Sequence, residues 1–132
     1  IPVMGHLGLL PQSDKTFKFK GKKKSERNNI LNDAKLLENA GVFSIVLECV
    51  ETSLAKKITS EIKVPTIGIG SSKNCDGQVL VIDDILNFNS NSKKPKFLKN
   101  YINIEKIITR AVKKYTQDVK SKKFPLRKHS YF

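Results

Sequence analysis

The stretch Phe43-Ser44-Ile45-Val46-Leu47-Glu48-Cys49-Val50 decides the fold. Phe43–Leu47 is apolar and β-branched, the pattern of a strand covered on both faces. The best apolar stretch, Val42 to Val50, is interrupted by Ser44 and Glu48 and is too short to cross a membrane, which takes about 20 apolar residues. Gly41 stands just before it and stops a helix that Ser25 can cap and that runs to about Ala40. Ile30, Ala34, Leu37 and Ala40 share one face of that helix. After the strand, Thr52 or Ser53 caps a second helix to about Ile62, with Leu54, Ala55, Ile58 and Ile62 facing inward.

The same alternation extends in both directions. Pro2–His6 reads as a strand, and residues 7–24 as a long loop with a short hairpin arm at Thr16–Lys20. Val64–Ile69 is a third strand, Ser71–Gly77 a polar loop, and Gln78–Ile82 a fourth strand ending at Asp83-Asp84. Asn87–Pro95 reads as a linker. Residues 96–120 hold Ile104, Ile107, Ile108, Ala111, Val112, Tyr115 and Val119 at helical spacing, a packing stripe. Lys122–Phe132 is a basic, irregular tail. Parallel βα units with right-handed crossovers follow, in an α/β fold. Ligands of such folds sit at the C-terminal ends of strands. Those ends carry His6, Glu48, Gly70 to Ser72, and Asp83/Asp84.

The chain has 132 residues, which sets a single domain over 1–132 as the expectation. Two cysteines without metal-ligand spacing exclude a local zinc module and a disulfide framework. Cys49 and Cys75 read as free thiols of a reducing, cytoplasmic setting. The net charge of +13 first points to nucleic acid. Only three of the 25 basic residues are Arg, however, and the lysines are scattered. Nucleic-acid modules favour Arg and interleaved aromatics. The charge therefore reads as lysine-rich drift, with Lys20–Lys24 and Lys93–Lys99 as local patches. The opening Ile-Pro-Val-Met-Gly-His lacks an initiator Met and a signal peptide, the expectation for a processed chain or a fragment.

Glu48 is the most informative residue. A carboxylate among apolar neighbours is costly unless it is paired or its pKa rises. At a strand end it suits general acid/base work. The alternative is a solvated or lysine-paired Glu. His6, between Gly5 and Gly8, can hydrogen-bond or move a proton, or simply pack at a strand end. Gly68-Ile69-Gly70 can approach an anion, although a tight turn explains it as well. Asp76-Gly77 is a turn signal. Asp83 and Asp84 suit either a divalent cation or a solvated strand end. His129 belongs to the exposed tail.

Together these stretches resemble one family. Pro2-Val3-Met4-Gly5-His6-Leu7-Gly8-Leu9-Leu10-Pro11-Gln12-Ser13 is similar to the fifth-strand segment of ketopantoate hydroxymethyltransferases. Phe17–Lys22 resembles their Tyr-Lys-Val-Gln-Gly-Lys arm, and Ile45–Val50 their sixth strand. Pro65–Gly70 and Asp76–Val81 resemble the seventh and eighth. Pro95–Phe97, Phe124-Pro125 and His129-Ser130 also fit. The chain departs where the arm after Ser13 lacks Gly-Gly and where Gly70-Ser71-Ser72 replaces Gly-Ala-Gly. Arg127-Lys128 replaces an acidic pair.

The resemblance implies the C-terminal half of a (β/α)8 TIM barrel, strands five to eight plus C-terminal helices, the N-terminal half being absent. Four strands would leave two open edges. It implies hydroxymethyl transfer from 5,10-methylenetetrahydrofolate to 3-methyl-2-oxobutanoate through a Mg²⁺-stabilised enolate, giving 2-dehydropantoate for pantothenate and coenzyme A. Glu48 matches the family's proton acceptor and His6 its active-site His. The metal ligands are expected in the missing half, so Asp83 and Asp84 are not promoted to that role. A large homo-oligomer is implied, with neither nucleic acid nor membrane as partner. Two other readings stand beside it. One is a related Mg²⁺-dependent pyruvate-type barrel acting on another 2-oxo acid. The other is a basic module binding nucleic acid or an acidic partner.

Overall fold

The computed structural model describes residues 1–13, 18–88 and 95–132. It divides into two compact units, Ile1–Leu80 and Val81–Phe132.

The first unit alternates strands and helices: β1 (Met4–Gly8), α1 (Lys24–Asn39), β2 (Ser44–Glu48), α2 (Thr52–Glu61), β3 (Thr66–Ile69) and β4 (Gly77–Gln78). The four strands form one parallel sheet in the order β1-β2-β3-β4. In register, Gly8 lies opposite Glu48, and Glu48 opposite Ile69. Side chains alternate faces along a strand. Ile45 and Leu47 are fully buried and join Ile30 and Ala34 of α1 with Leu54, Ala55 and Ile58 of α2 in one core. Each buried Leu or Ile side chain contributes about 1.5–3 kcal/mol on leaving water. Alternation sends Val46 and Glu48 to the other face. This arrangement, four parallel strands alternating with helices, is consistent with part of a TIM barrel.

The predicted core faces of both helices hold, except that Ala40 is exposed. Gly41, at φ 85°, stops α1 as predicted. The caps differ. Helix α1 begins one residue before Ser25, with Lys23 at the N-cap and no capping side chain. Ser25 therefore lies inside the first turn. Helix α2 is capped by Glu51, not by Thr52 or Ser53; its carboxylate accepts from the Ser53 and Leu54 amides, both at 3.0 Å. The hairpin arm predicted at Thr16–Lys20 lies partly outside the described residues. Its last residue, Lys20, forms an isolated parallel bridge with Val50.

The fourth strand is a correction. Predicted over Gln78–Ile82, it pairs only at Gly77–Gln78. Ile82–Leu86 instead forms a short helix, α3, in the second unit. Asp83 and Asp84 fall in its first turn, where their charge favours the helix N-terminus. A short apolar run followed by acids fits either state, and periodicity cannot separate them.

In the second unit, α4 (Ile104–Lys120) is capped by Asn103, whose side chain accepts from the Lys106 amide at 3.0 Å. The helix has no buried residue, and its apolar stripe is exposed, from Ile107 at 39% to Tyr115 at 58%. The tail is less irregular than predicted. Arg127–His129 form a 3-10 turn, and Phe124 meets Tyr115 edge-on with ring centroids 5.7 Å apart. The linker predicted over Asn87–Pro95 falls mostly outside the described residues.

Candidate active site

The site forms where β1 and β2 end side by side. Glu48 is the last residue of β2 and is buried, with 12% of its side chain exposed. His6, on the neighbouring strand, brings Nε2 to 3.1 Å from Glu48 Oε2. Its side chain keeps 36% exposure. Of the two ways to accommodate a carboxylate in apolar surroundings, the geometry shows pairing. The imidazole stands beside the carboxylate and leaves the pair accessible. The two residues singled out in the sequence are thus brought together.

The backbone around Glu48 is held on every side. Its carbonyl accepts from the Leu9 amide at 2.8 Å. Gly8 lies so close that a Cβ there would stand 2.1 Å from the Glu48 carbonyl oxygen. Gly8 also sits at φ 99°, a conformation that L side chains rarely adopt. Beyond Glu48, Cys49 takes φ 50°, unusual for a residue with a side chain. Its N–H donates to Ile69 and its carbonyl accepts from the Lys20 amide, both at 2.8 Å. Those bonds hold a conformation that costs of order 1–3 kcal/mol. The Cys49 thiol is buried; burial, and then the charge of Glu48, push its pKa up.

The loop after β3 is tied to the same end of the sheet. Ser71 Oγ donates to the Val50 carbonyl at 3.1 Å, and Thr52 Oγ1 to the Ser71 carbonyl at 3.2 Å. Gln78 Nε2 donates to the Ser72 carbonyl at 2.8 Å. A Cβ on Gly68 would meet the Gln78 amide at 2.9 Å, so close packing accounts for this glycine of the Gly68-Ile69-Gly70 stretch. Asp76 serves its turn at the opposite end of β3. Its carboxylate accepts from the Thr66 amide at 2.8 Å and from Thr66 Oγ1 at 3.0 Å.

Other expectations part from this site. Asp83 and Asp84 stand on α3 and not at a strand end. His129 accepts from the Leu126 amide through Nδ1 at 3.1 Å within the exposed tail. Gly8, read in the sequence as a glycine flanking His6, is where the Glu48 backbone approaches closely. Sequence reasoning missed Gln78, Arg27 and Glu51. Only the strand register exposes Gln78. Arg27 was visible solely as one of three arginines.

The donor set does not fit a divalent cation. Among the described residues, no group of three or more His, Cys, Asp or Glu side chains converges. Mg²⁺ prefers octahedral oxygen ligands, and Glu48 with His6 offers one carboxylate and an imidazole. Among the same residues, no helix is long and apolar enough to cross a membrane.

The sequence profile of ketopantoate hydroxymethyltransferase matches residues 1–127. A 3-methyl-2-oxobutanoate hydroxymethyltransferase of Pelagibacter ubique is 64% identical over 131 residues, 99% of this chain and 50% of the relative. Proteins of the same name from Thermosipho melanesiensis and Carboxydothermus hydrogenoformans are 52% and 50% identical over 134 residues. They too are covered over 50% and 48% of their lengths. The chain spans about half the length of the curated relatives it matches, and it belongs to the ketopantoate hydroxymethyltransferase family.

Proposed function

We propose that this chain supplies the C-terminal half of a (β/α)8 barrel, a single domain in which β1 to β4 are strands five to eight. The barrel would transfer a hydroxymethyl group from 5,10-methylenetetrahydrofolate to 3-methyl-2-oxobutanoate. The names of the relatives and the family profile support this reading. The observation that carries it is the buried Glu48 carboxylate, held by His6 at the C-terminal edge of a parallel sheet.

Glu48 is the base in this reading. Its carboxylate accepts the proton from C3 of the 2-oxo acid, and the electron pair left on C3 delocalises toward the adjacent ketone. C3 then bonds to the methylene carbon, whose two bonds to folate nitrogens break; water supplies the hydroxyl, and the proton from C3 and one from water end on those nitrogens, giving 2-dehydropantoate and tetrahydrofolate. His6 keeps the Glu48 carboxylate turned toward the substrate, which reduces the cost of orientation. Only 12% of the Glu48 side chain is exposed, which limits the water around the carboxylate. Mg²⁺ belongs to the same reading as a Lewis acid held by residues outside this chain, as do the folate contacts. A cytoplasmic homo-oligomer is the corresponding assembly.

The test uses a completed barrel, this chain joined to the remaining half of its Pelagibacter ubique relative. Deuterium exchange at C3 of 3-methyl-2-oxobutanoate is followed by NMR. Glu48→Gln lowers the exchange rate by orders of magnitude. Exchange near that of the unsubstituted barrel would sink the assignment of the base.

A further inference from the structure

Both backbone groups of Lys20 are engaged by the turn that follows Glu48. The Lys20 amide donates to the Cys49 carbonyl at 2.8 Å, and its carbonyl accepts from the Glu51 amide at 2.9 Å. The next residue is held by side chains. The Gly21 amide donates to Glu26 Oε2 at 2.7 Å, and its carbonyl accepts from Arg27 Nη1 at 3.2 Å. The same Arg27 nitrogen lies 2.5 Å from Glu51 Oε2, and Arg27 Nη2 donates to Ser53 Oγ at 3.0 Å. Arg27 therefore touches the β1–α1 connection and the cap of α2 at once. The residues between those two contacts are Cys49, in its left-handed conformation, and Val50, bridged to Lys20.

A salt bridge at the surface is ordinarily worth little. This one differs in what it closes. A planar guanidinium reaches three acceptors in fixed directions, which a Lys ammonium cannot reproduce. The Ser53 hydroxyl and amide, together with Arg27, hold the Glu51 carboxyl down to about 2, so the charged form persists well into the acid range.

We infer that Arg27 and Glu51 form a clamp that positions Glu48. The clamp locks the returning end of the β1–α1 connection, Lys20–Gly21, onto the Cys49–Glu51 turn and so fixes the direction from which the Glu48 carboxylate meets substrate. Arg27 and Glu51 are positioning residues in this account, acting through the backbone of Cys49. The inference rests on Glu48 being the base.

The closing experiment measures C3 exchange kinetics and amide hydrogen exchange in the completed barrel. Arg27→Met removes the clamp. Glu51→Asp keeps a good N-cap residue on α2 but draws its carboxylate short of Arg27. Both lower kcat for exchange roughly tenfold and leave KM within about twofold, because a misaimed base weakens the reacting step more than binding. Both also speed exchange of the Lys20 and Glu51 amides. Arg27→Lys, which keeps the charge, gives a smaller loss and covers intolerance of Met. Unchanged kcat in Glu51→Asp overturns the clamp, since capping alone then accounts for Glu51. Glu48→Gln runs in parallel. If it abolishes exchange while the clamp variants keep full kcat, only the clamp fails. If Glu48→Gln exchanges normally, the reading of Glu48 as base fails and the clamp with it.

Discussion

His6 Nε2 lies 3.1 Å from Glu48 Oε2, across two parallel strands that end together. The pair is asymmetric: the carboxylate is nearly enclosed and the imidazole is open on one side. Removing His6 takes away the one polar side chain shown beside the enclosed carboxylate, which costs roughly 1–3 kcal/mol. His6→Ala therefore lowers both stability and the C3 exchange rate, the latter roughly tenfold to a hundredfold. His6→Gln, which keeps an N–H donor, loses less. Equal exchange rates in His6→Ala and the unsubstituted barrel would show that the pair does not orient the base.

Gly8 tests the same geometry from the backbone. Its absent side chain makes room for the Glu48 carbonyl, which a Cβ would approach to 2.1 Å. Its φ of 99° also strains any L residue. Gly8→Ala must push the β1 end away from β2, at a cost above the roughly 1–3 kcal/mol of a strained backbone alone. Denaturant midpoints and C3 exchange fall together. A fully stable Gly8→Ala protein with normal exchange contradicts this packing.

Glu48 and His6 were legible because chemistry and position coincided. A lone carboxylate closed an apolar strand; the strand expected over Pro2–His6 runs instead over Met4–Gly8, so His6 stands at its middle, two residues before the end that meets Glu48. The helix faces of Ile30, Ala34, Leu54 and Ile58 were legible from the 3.6-residue period. The caps were not, because Glu51 uses a long side chain in a role that Ser and Thr usually fill. Val79–Ile82 misled because helix and strand share short apolar runs, and the acids of α3 decide only in the helical register. Arg27 was invisible because its three acceptors lie up to 26 positions from it in the chain and meet only after folding.

The Cys49 thiol reports on Glu48 independently of turnover. Burial and then the Glu48 charge raise its pKa, so little thiolate exists at neutral pH. Iodoacetamide modifies Cys49 slowly in the folded protein and rapidly after denaturation. Glu48→Gln removes the second cause and leaves the first. Alkylation of Cys49 then accelerates by less than about tenfold, because burial is the larger effect. Peptide mass spectrometry separates Cys49 from Cys75. A slower reaction in Glu48→Gln would reverse the sign and refute the electrostatic contact.

Glu51 gives a prediction whose sign follows from linkage. Its carboxyl is held at about 2, against an ordinary 4.5, first by the Ser53 hydroxyl and amide and then by Arg27. The unfolded chain therefore binds this proton at higher pH than the folded one. The stabilisation is complete above about pH 5 and declines as pH falls through 4.5 toward 2. Solvent reaches 30% of the Glu51 side chain and screens the pair, so the effect is about 1 kcal/mol or less. Glu51→Gln cannot ionise and loses the ion pair at every pH. Denaturant unfolding at pH 7 separates it from the parent, and the two converge as pH approaches 2. A gap that stays constant between pH 7 and pH 2 would mean that the Glu51 charge contributes nothing and that capping geometry alone holds the start of α2.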